Sequence, residues 1–137
     1  MTEATVFIDG ASRGNPGPAS VGVVFQDANG KVFKTISKTI GLGTNNIAEY
    51  SALIFALQEA LIMGIKELSV FTDSELVTKQ FSGEYKIKEP TLKLLFLFVS
   101  HLKLGFKRLS VTHVPREKNK LADQEANRAL DANTNFL

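Results

Sequence analysis

The sequence predicts an α/β fold: a five-stranded mixed sheet flanked by helices, in the order βββαβααβα. Three observations carry this. Short apolar or alternating runs recur at Val6–Ile8, Val21–Phe25, Val32–Ile40, Leu68–Phe71 and Leu109–His113. Helical spacing begins only after the third of these runs. Glycine and proline then punctuate nearly every junction.

Taken in order, Val6–Ile8 is a short apolar strand, and Val21–Phe25 is a second. The third alternates Val32, Lys34, Ile36, Lys38 and Ile40, with Asn29-Gly30 before it as a hairpin signal. The chain therefore starts as an antiparallel meander. Gly41-Leu42-Gly43-Thr44 breaks the pattern. A helix follows from about Asn46 to Met63, where Ala48, Ala52, Phe55, Ala56, Glu59 and Ala60 supply spacing and propensity and Gly64 a stop. Leu68–Phe71 is short and largely apolar, as expected for a buried parallel strand. Asp73-Ser74 opens a short helix to Phe81, closed by Ser82-Gly83-Glu84. Pro90 suits the first turn of a helix over Thr91–Leu104, stopped by Gly105. Leu109–His113 alternates as the fifth strand. A loop, Pro115–Asn119, leads to a last helix, Lys120–Leu130.

The length of 137 residues fits a single domain, 1–137, with a core that needs no staples. The absence of cysteine excludes disulfides and thiolate metal sites and fits a reducing compartment. No signal-peptide pattern opens the chain. No apolar run is longer than Leu94–Val99, far below the ~20 residues of a membrane span. The expectation is a soluble cytoplasmic protein. Net charge is only +2, but twelve of the sixteen basic residues lie from Lys66 onward. Neutralising four carboxylates with cations would leave the rest of the chain four charges more positive, compatible with a phosphodiester partner.

Those four carboxylates are Asp9, Glu49, Asp73 and Asp123. Each has an ordinary explanation. Asp9-Gly10 reads as a hairpin turn, Glu49 as the capping-box partner of Asn46, Asp73 as an N-cap, and Asp123 as a solvated helix residue. Together they point elsewhere. Asp9 and Asp73 each end a short apolar strand, and parallel neighbours would present both at one sheet edge. Clustered carboxylates repel one another unless they bind protons or hard cations, and oxygen donors without thiolates favour Mg²⁺ or Mn²⁺. Two such ions serve displacement at phosphorus, one activating water and the other stabilising the leaving oxygen.

Four segments carry a family resemblance: Asp9-Gly10-Ala11-Ser12-Arg13-Gly14-Asn15-Pro16-Gly17-Pro18, Thr44-Asn45-Asn46-Ile47-Ala48-Glu49, Thr72-Asp73-Ser74-Glu75-Leu76-Val77, and Val114-Pro115-Arg116-Glu117-Lys118-Asn119 through Ala122-Asp123. In this order and on these elements, the chain resembles the type 1 ribonuclease H family along nearly its whole length. The resemblance implies the ribonuclease H-like fold and a metal-dependent endonuclease. Its reaction would be hydrolysis of the RNA strand of an RNA–DNA hybrid, leaving 5′-phosphate and 3′-hydroxyl ends. Asp9, Glu49, Asp73 and Asp123 would be its metal-binding carboxylates. Asp9 would bridge two Mg²⁺ ions, and Mn²⁺ could substitute. Alternatives are a related nuclease that also cuts double-stranded RNA and a catalytically silent nucleic-acid-binding module on the same fold.

Sparing DNA while cutting RNA requires a reader of the 2′-hydroxyl across a shallow minor groove. Asn15, Asn45, Asn46 and Ser74 match the family's polar substrate contacts, Thr44 is a candidate for a DNA-strand phosphate, and Gly10 and Ser12 flank them. Turn and capping chemistry accounts for the same residues. His113 and Arg116 compete for the role of a family histidine that assists catalysis before the last helix. His113 follows the strand pattern of Leu109 and Val111 and so also reads as core-facing. The family's tryptophan-bearing basic insertion is missing, and Lys79, Lys86 and Lys88 form a smaller patch. Weaker, more salt-sensitive binding is expected. Finally, Leu92, Leu95, Phe96, Val99 and Leu102 form one apolar stripe, and Leu94, Leu97 and Phe98 a second. The second is either covered by Phe136 and Leu137 or is a partner or homodimer surface on a protein that is otherwise a monomer.

Overall fold

The structure, a computed structural model, describes residues 1–134. Its elements are β1 (Glu3–Ser12), β2 (Gly17–Gln26), β3 (Val32–Gly43), α1 (Asn45–Ile62), β4 (Glu67–Thr72), α2 (Glu75–Phe81), α3 (Pro90–Lys103), β5 (Arg108–His113), one 3₁₀ turn at Arg116–Lys118, and α4 (Lys120–Thr134). The five strands form one sheet in the order β3-β2-β1-β4-β5. β1, β2 and β3 pair antiparallel, whereas β1, β4 and β5 run parallel. The mixed sheet and the element order are those expected.

The strands outrun their apolar runs, for a physical reason. β1 continues beyond Ile8 because β2 keeps pairing with it through Ser12↔Ala19, while its parallel pairing with β4 ends at Ile8↔Thr72. Asp9 therefore lies inside a strand, and the hairpin-turn reading of Asp9-Gly10 is wrong. The reversal comes later, between Ser12 and Gly17, and includes a cis Asn15–Pro16 bond. β3 likewise continues to Gly43, skipping Ile40 at a register shift. The hairpin at Asn29-Gly30 is present: the Asp27 carboxylate accepts from the amides of Asn29 and Lys31.

Side chains alternate across a strand, so the two faces of the sheet are assigned by parity. Val6 and Ile8 of β1, with Val21 and Val23 of β2, join the core formed by α1 and α3, including Leu53, Leu57, Leu92 and Val99. Gly22 points the other way and meets α4. A Cβ there would lie 2.1 Å from the Ala122 carbonyl oxygen and 2.5 Å from the Ala126 amide. Only glycine lets the helix backbone settle this closely. Asp9 shares the odd parity of Phe7 and so faces the α4 side of the sheet.

On α3, Leu92 and Val99 are buried and Leu95, Phe96 and Leu102 half-buried, so this stripe packs inward as expected. Leu94, Leu97 and Phe98 are 54%, 65% and 52% exposed. Phe136 and Leu137, considered as a cover for them, lie outside the described residues. Among the described residues no helix is long and apolar enough to cross a membrane.

Candidate metal centre

The parallel β1–β4 ladder ends at Ile8↔Thr72, and the next residue on each strand is an aspartate. Asp9 and Asp73 thus leave neighbouring strands at one edge of the sheet. Glu49 reaches them from α1. Its Oε1 accepts from the Gly10 amide at 2.5 Å, a bond that spans thirty-nine residues of chain. Gly10 is tight because a Cβ would fall 2.2–2.4 Å from the backbone of Ala48 and Glu49. One carboxylate oxygen from each of Asp9, Glu49 and Asp73 lies within 4.8 Å of the others. Asp123, from the first turn of α4, lines the same cleft.

The ordinary explanations of three further residues fail on geometry. Thr44, not Asn46, caps α1 by accepting from the Ile47 amide at 3.1 Å, and Glu49 bonds Gly10 instead of closing a capping box. Ser74, not Asp73, caps α2, accepting from the Val77 amide at 3.2 Å. Asp123 is half-buried and turned to the cleft, so it is not simply a solvated helix residue.

Gathering these charges is electrostatically unfavourable. Burial drives the Asp9 carboxyl up to about 9, and the charges of Glu49, Asp73 and Asp123 add to the push. Burial likewise raises Glu49, to about 8. The Gly10 amide and the Arg116 guanidinium oppose that rise, while Asp73 reinforces it. A site in this state either holds protons or awaits positive charge. An all-oxygen donor set beside raised carboxyls fits a hard divalent cation.

The cleft measures about 530 Å³ and includes the four acids with Gly10, Ser12, Arg13, Asn45, His113, Arg116 and Asn127. His113 is exposed at the end of β5 and borders the cleft, which corrects its core-facing reading: the β5 ladder closes at Thr72↔His113, level with the acids. The β1–β2 turn forms one wall. Asn15 Oδ1 accepts from the Asn45 amide at 2.9 Å, pinning the turn to the start of α1. The Ser12 hydroxyl bonds the carbonyls of Gly14 and Gly43. Asn46 is exposed beside this wall. Asn15, Thr44, Asn46 and Ser74 do not border the cleft itself.

Sequence reasoning assigned no role to Arg13 or Asn127, and it missed the side chain of Asn119. Asn119 is fully buried and donates from Nδ2 to the Ile8 carbonyl at 2.8 Å, immediately before Asp9. Its Oδ1 is buried without a hydrogen-bond partner among the described residues, so the amide is kept there at a cost of about 1–3 kcal/mol. The spacing of four along Asn119, Asp123, Asn127 and Asp131 was a signal for one shared helix edge, but nothing in the sequence ties Arg13 to it.

Comparison with known proteins agrees. The family model described as reverse transcriptase-like matches residues 7–129. The chain is 46% identical over 125 residues to ribonuclease HI of Halobacterium salinarum, covering 91% of this chain and 63% of that protein. It is 45% identical over 131 residues to the bifunctional protein Rv2228c of Mycobacterium tuberculosis, covering 95% of this chain and 36% of that one. The chain thus spans less than two thirds of the length of these curated relatives. Among solved structures it superposes on RNase H1 of H. salinarum with a TM-score of 0.92 at 44% identity, covering 95% of this chain and 98% of that one. It superposes on LC11-RNase H1, solved in complex with an RNA/DNA hybrid, with a TM-score of 0.91 at 43% identity, covering 96% and 99%. Fold, motif order and overall similarity agree: the chain belongs to the type 1 ribonuclease H family.

Proposed function

We propose that the chain is a single ribonuclease H domain that hydrolyses the RNA strand of RNA–DNA hybrids, leaving 5′-phosphate and 3′-hydroxyl ends. The observation that carries this reading is the cluster of Asp9, Glu49 and Asp73 oxygens at one sheet edge, with Asp123 beside it in an open cleft. A relative of 43% identity solved with an RNA/DNA hybrid supports the choice of substrate.

Asp9, Glu49, Asp73 and Asp123 would hold Mg²⁺, with Mn²⁺ able to substitute. When bound, a pair of such ions supplies activation of water and stabilisation of the leaving oxygen. The chain's own residues do the rest. Asp9 sits centrally, between Glu49 from α1 and Asp123 from α4. The Gly10 amide fixes the Glu49 carboxylate and leaves its second oxygen for the cleft. His113 and Arg116 line the same cleft as the acids. The His113 imidazole can offer a hydrogen bond there, and the Arg116 guanidinium can meet a phosphate oxygen.

Asn15 spends its Oδ1 on the Asn45 amide, which directs its NH₂ group outward as a donor to a ribose 2′-hydroxyl. Ser12, Asn45 and Asn46 extend that polar wall. Thr44 and Ser74 use their oxygens as caps and keep their hydroxyl protons for a phosphate or a sugar.

Cleavage of a labelled hybrid with Mg²⁺, Mn²⁺ and chelator in parallel tests the reading, with double-stranded RNA as a second substrate. Hybrid cleavage that chelator stops is expected; no cleavage with either metal would overturn it. A cytoplasmic location belongs to the same reading, supported by the cysteine-free composition. A monomer is the default. A homodimer through Leu94, Leu97 and Phe98 is disfavoured because Lys93, which borders Leu94 and Leu97, would bring like charge into the interface. Light scattering across concentrations checks this.

A further inference from the structure

Asn119, Asp123, Asn127 and Asp131 stand four apart, just before and along α4, and this spacing keeps them on one edge of the helix. Both ends of the row are fastened to the same stretch of chain. At one end the Asn119 side chain holds the Ile8 carbonyl, one residue before Asp9, while its own carbonyl accepts from the Asp123 amide at 3.1 Å. At the other end Arg13, four residues after Asp9, donates to Asp131 at 2.6 Å and to Asn127 Oδ1 at 3.5 Å. Between them Asn127 Nδ2 donates to the Asp123 carbonyl at 3.0 Å and to its Oδ1 at 3.3 Å.

We propose that Asn127, Arg13 and Asp131 form a clamp that positions Asp123 against Asp9. Asn127 and Arg13 are positioning residues, and the inference rests on reading the carboxylates as a metal centre. Asp123 needs such help more than the others. It lies outside the trio whose oxygens fall within 4.8 Å of one another. Asn127 occupies one Asp123 oxygen and leaves the other for the cleft. Arg13 is a long, half-exposed side chain with many rotamers, and Asp131 limits them. Asp131 does not border the cleft, so its effect must pass through Arg13.

The test is calorimetric titration of the free protein with Mg²⁺ alone, in wild type and in Asp9→Asn, Asn127→Ala, Asp131→Asn and Asp131→Glu. Asn127→Ala is expected to weaken binding about tenfold, the scale on which outer-sphere partners act. Asp131→Asn weakens it about two- to threefold, and Asp131→Glu restores it. Thermal midpoints should stay within about 3 °C of wild type, which a merely structural role would not predict. If Asp9→Asn weakens binding while Asn127→Ala and Asp131→Asn leave it unchanged, the clamp is wrong and the metal centre stands. If Asp9→Asn itself changes nothing, the metal reading fails and the clamp with it. An Asp131→Asn protein with a raised KM for hybrid and unaltered Mg²⁺ affinity would assign Arg13 to the substrate and overturn the proposal.

Discussion

The cleft and the outer face of α3 both invert the usual arrangement of a protein, in opposite senses. In the cleft, Asp9 is 6% exposed and Glu49 is half-buried, so charge is held where hydrocarbon is normal. On α3, Leu94, Leu97 and Phe98 face solvent, so hydrocarbon is held where charge is normal. The difference lies in what surrounds them. Glu49 and Asp123 are held by hydrogen bonds from the Gly10 amide of β1 and the Asn127 side chain of α4. The apolar face has only its own helix behind it. A costly feature with dedicated support reads as function, whereas one without support is a surface whose energetic weight is small.

That contrast can be broken by measurement. The largest expected effect is on chemistry: Asp73→Asn should reduce hybrid cleavage about 10³-fold or more with an unchanged circular-dichroism spectrum. Retained Mg²⁺-dependent activity would remove the cleft from its role. Next, Leu92→Ala on the inner face of α3 should cost about 2–4 kcal/mol in denaturant unfolding, since its side chain is in the core.

The third effect concerns pH. The folded-state values of Asp9 and Glu49, about 9 and about 8, lie above their ordinary values of 3.8 and 4.5. The native state therefore holds protons that the unfolded chain releases. Their contribution is complete below about pH 4 and is lost as pH rises towards 8–9. Without metal, the thermal midpoint should fall across that window by on the order of 5 °C, and millimolar Mg²⁺ should offset the fall. Asp9→Asn should raise the metal-free midpoint at pH 8 while abolishing cleavage. A metal-free midpoint that rises from pH 5 to 8 would contradict the electrostatic picture. Smallest of all, Leu97→Lys on the outer face of α3 should change stability by less than about 0.5 kcal/mol and leave cleavage intact.

Much of the fold was legible in the sequence because hydrophobic period reports burial directly, and the order βββαβααβα follows from it. The ends of strands were not legible, since they depend on which neighbour keeps pairing. β1 runs on past Ile8 only because β2 accompanies it. Asp9 and Asp73 could be brought together by reasoning on parallel strand ends. The partner of Glu49 could not be found that way, because the donor is the backbone of Gly10, and a backbone amide leaves no mark in a sequence. Asn127 and Arg13 escaped because each looks like an ordinary surface residue until the other is placed beside it. The direction of His113 depended on where β5 stops against β4.

The contact at Gly22 has a consequence for ion selectivity. Nothing separates β2 from the backbone of α4 at Ala122 and Ala126, so Asp123 rides on a helix pressed to its limit against the sheet. A methyl group at that glycine acts as a shim. It lifts α4, and the carboxylate on it, away from Asp9 without altering a single polar group. Mg²⁺ demands a tight octahedral shell at ~2.0–2.1 Å, whereas Ca²⁺ accepts longer bonds and looser geometry. Gly22→Ala should therefore tilt binding from the smaller ion towards the larger. If the carboxylates hold a metal as proposed, the size of the ion they take is set partly by a residue that never touches it.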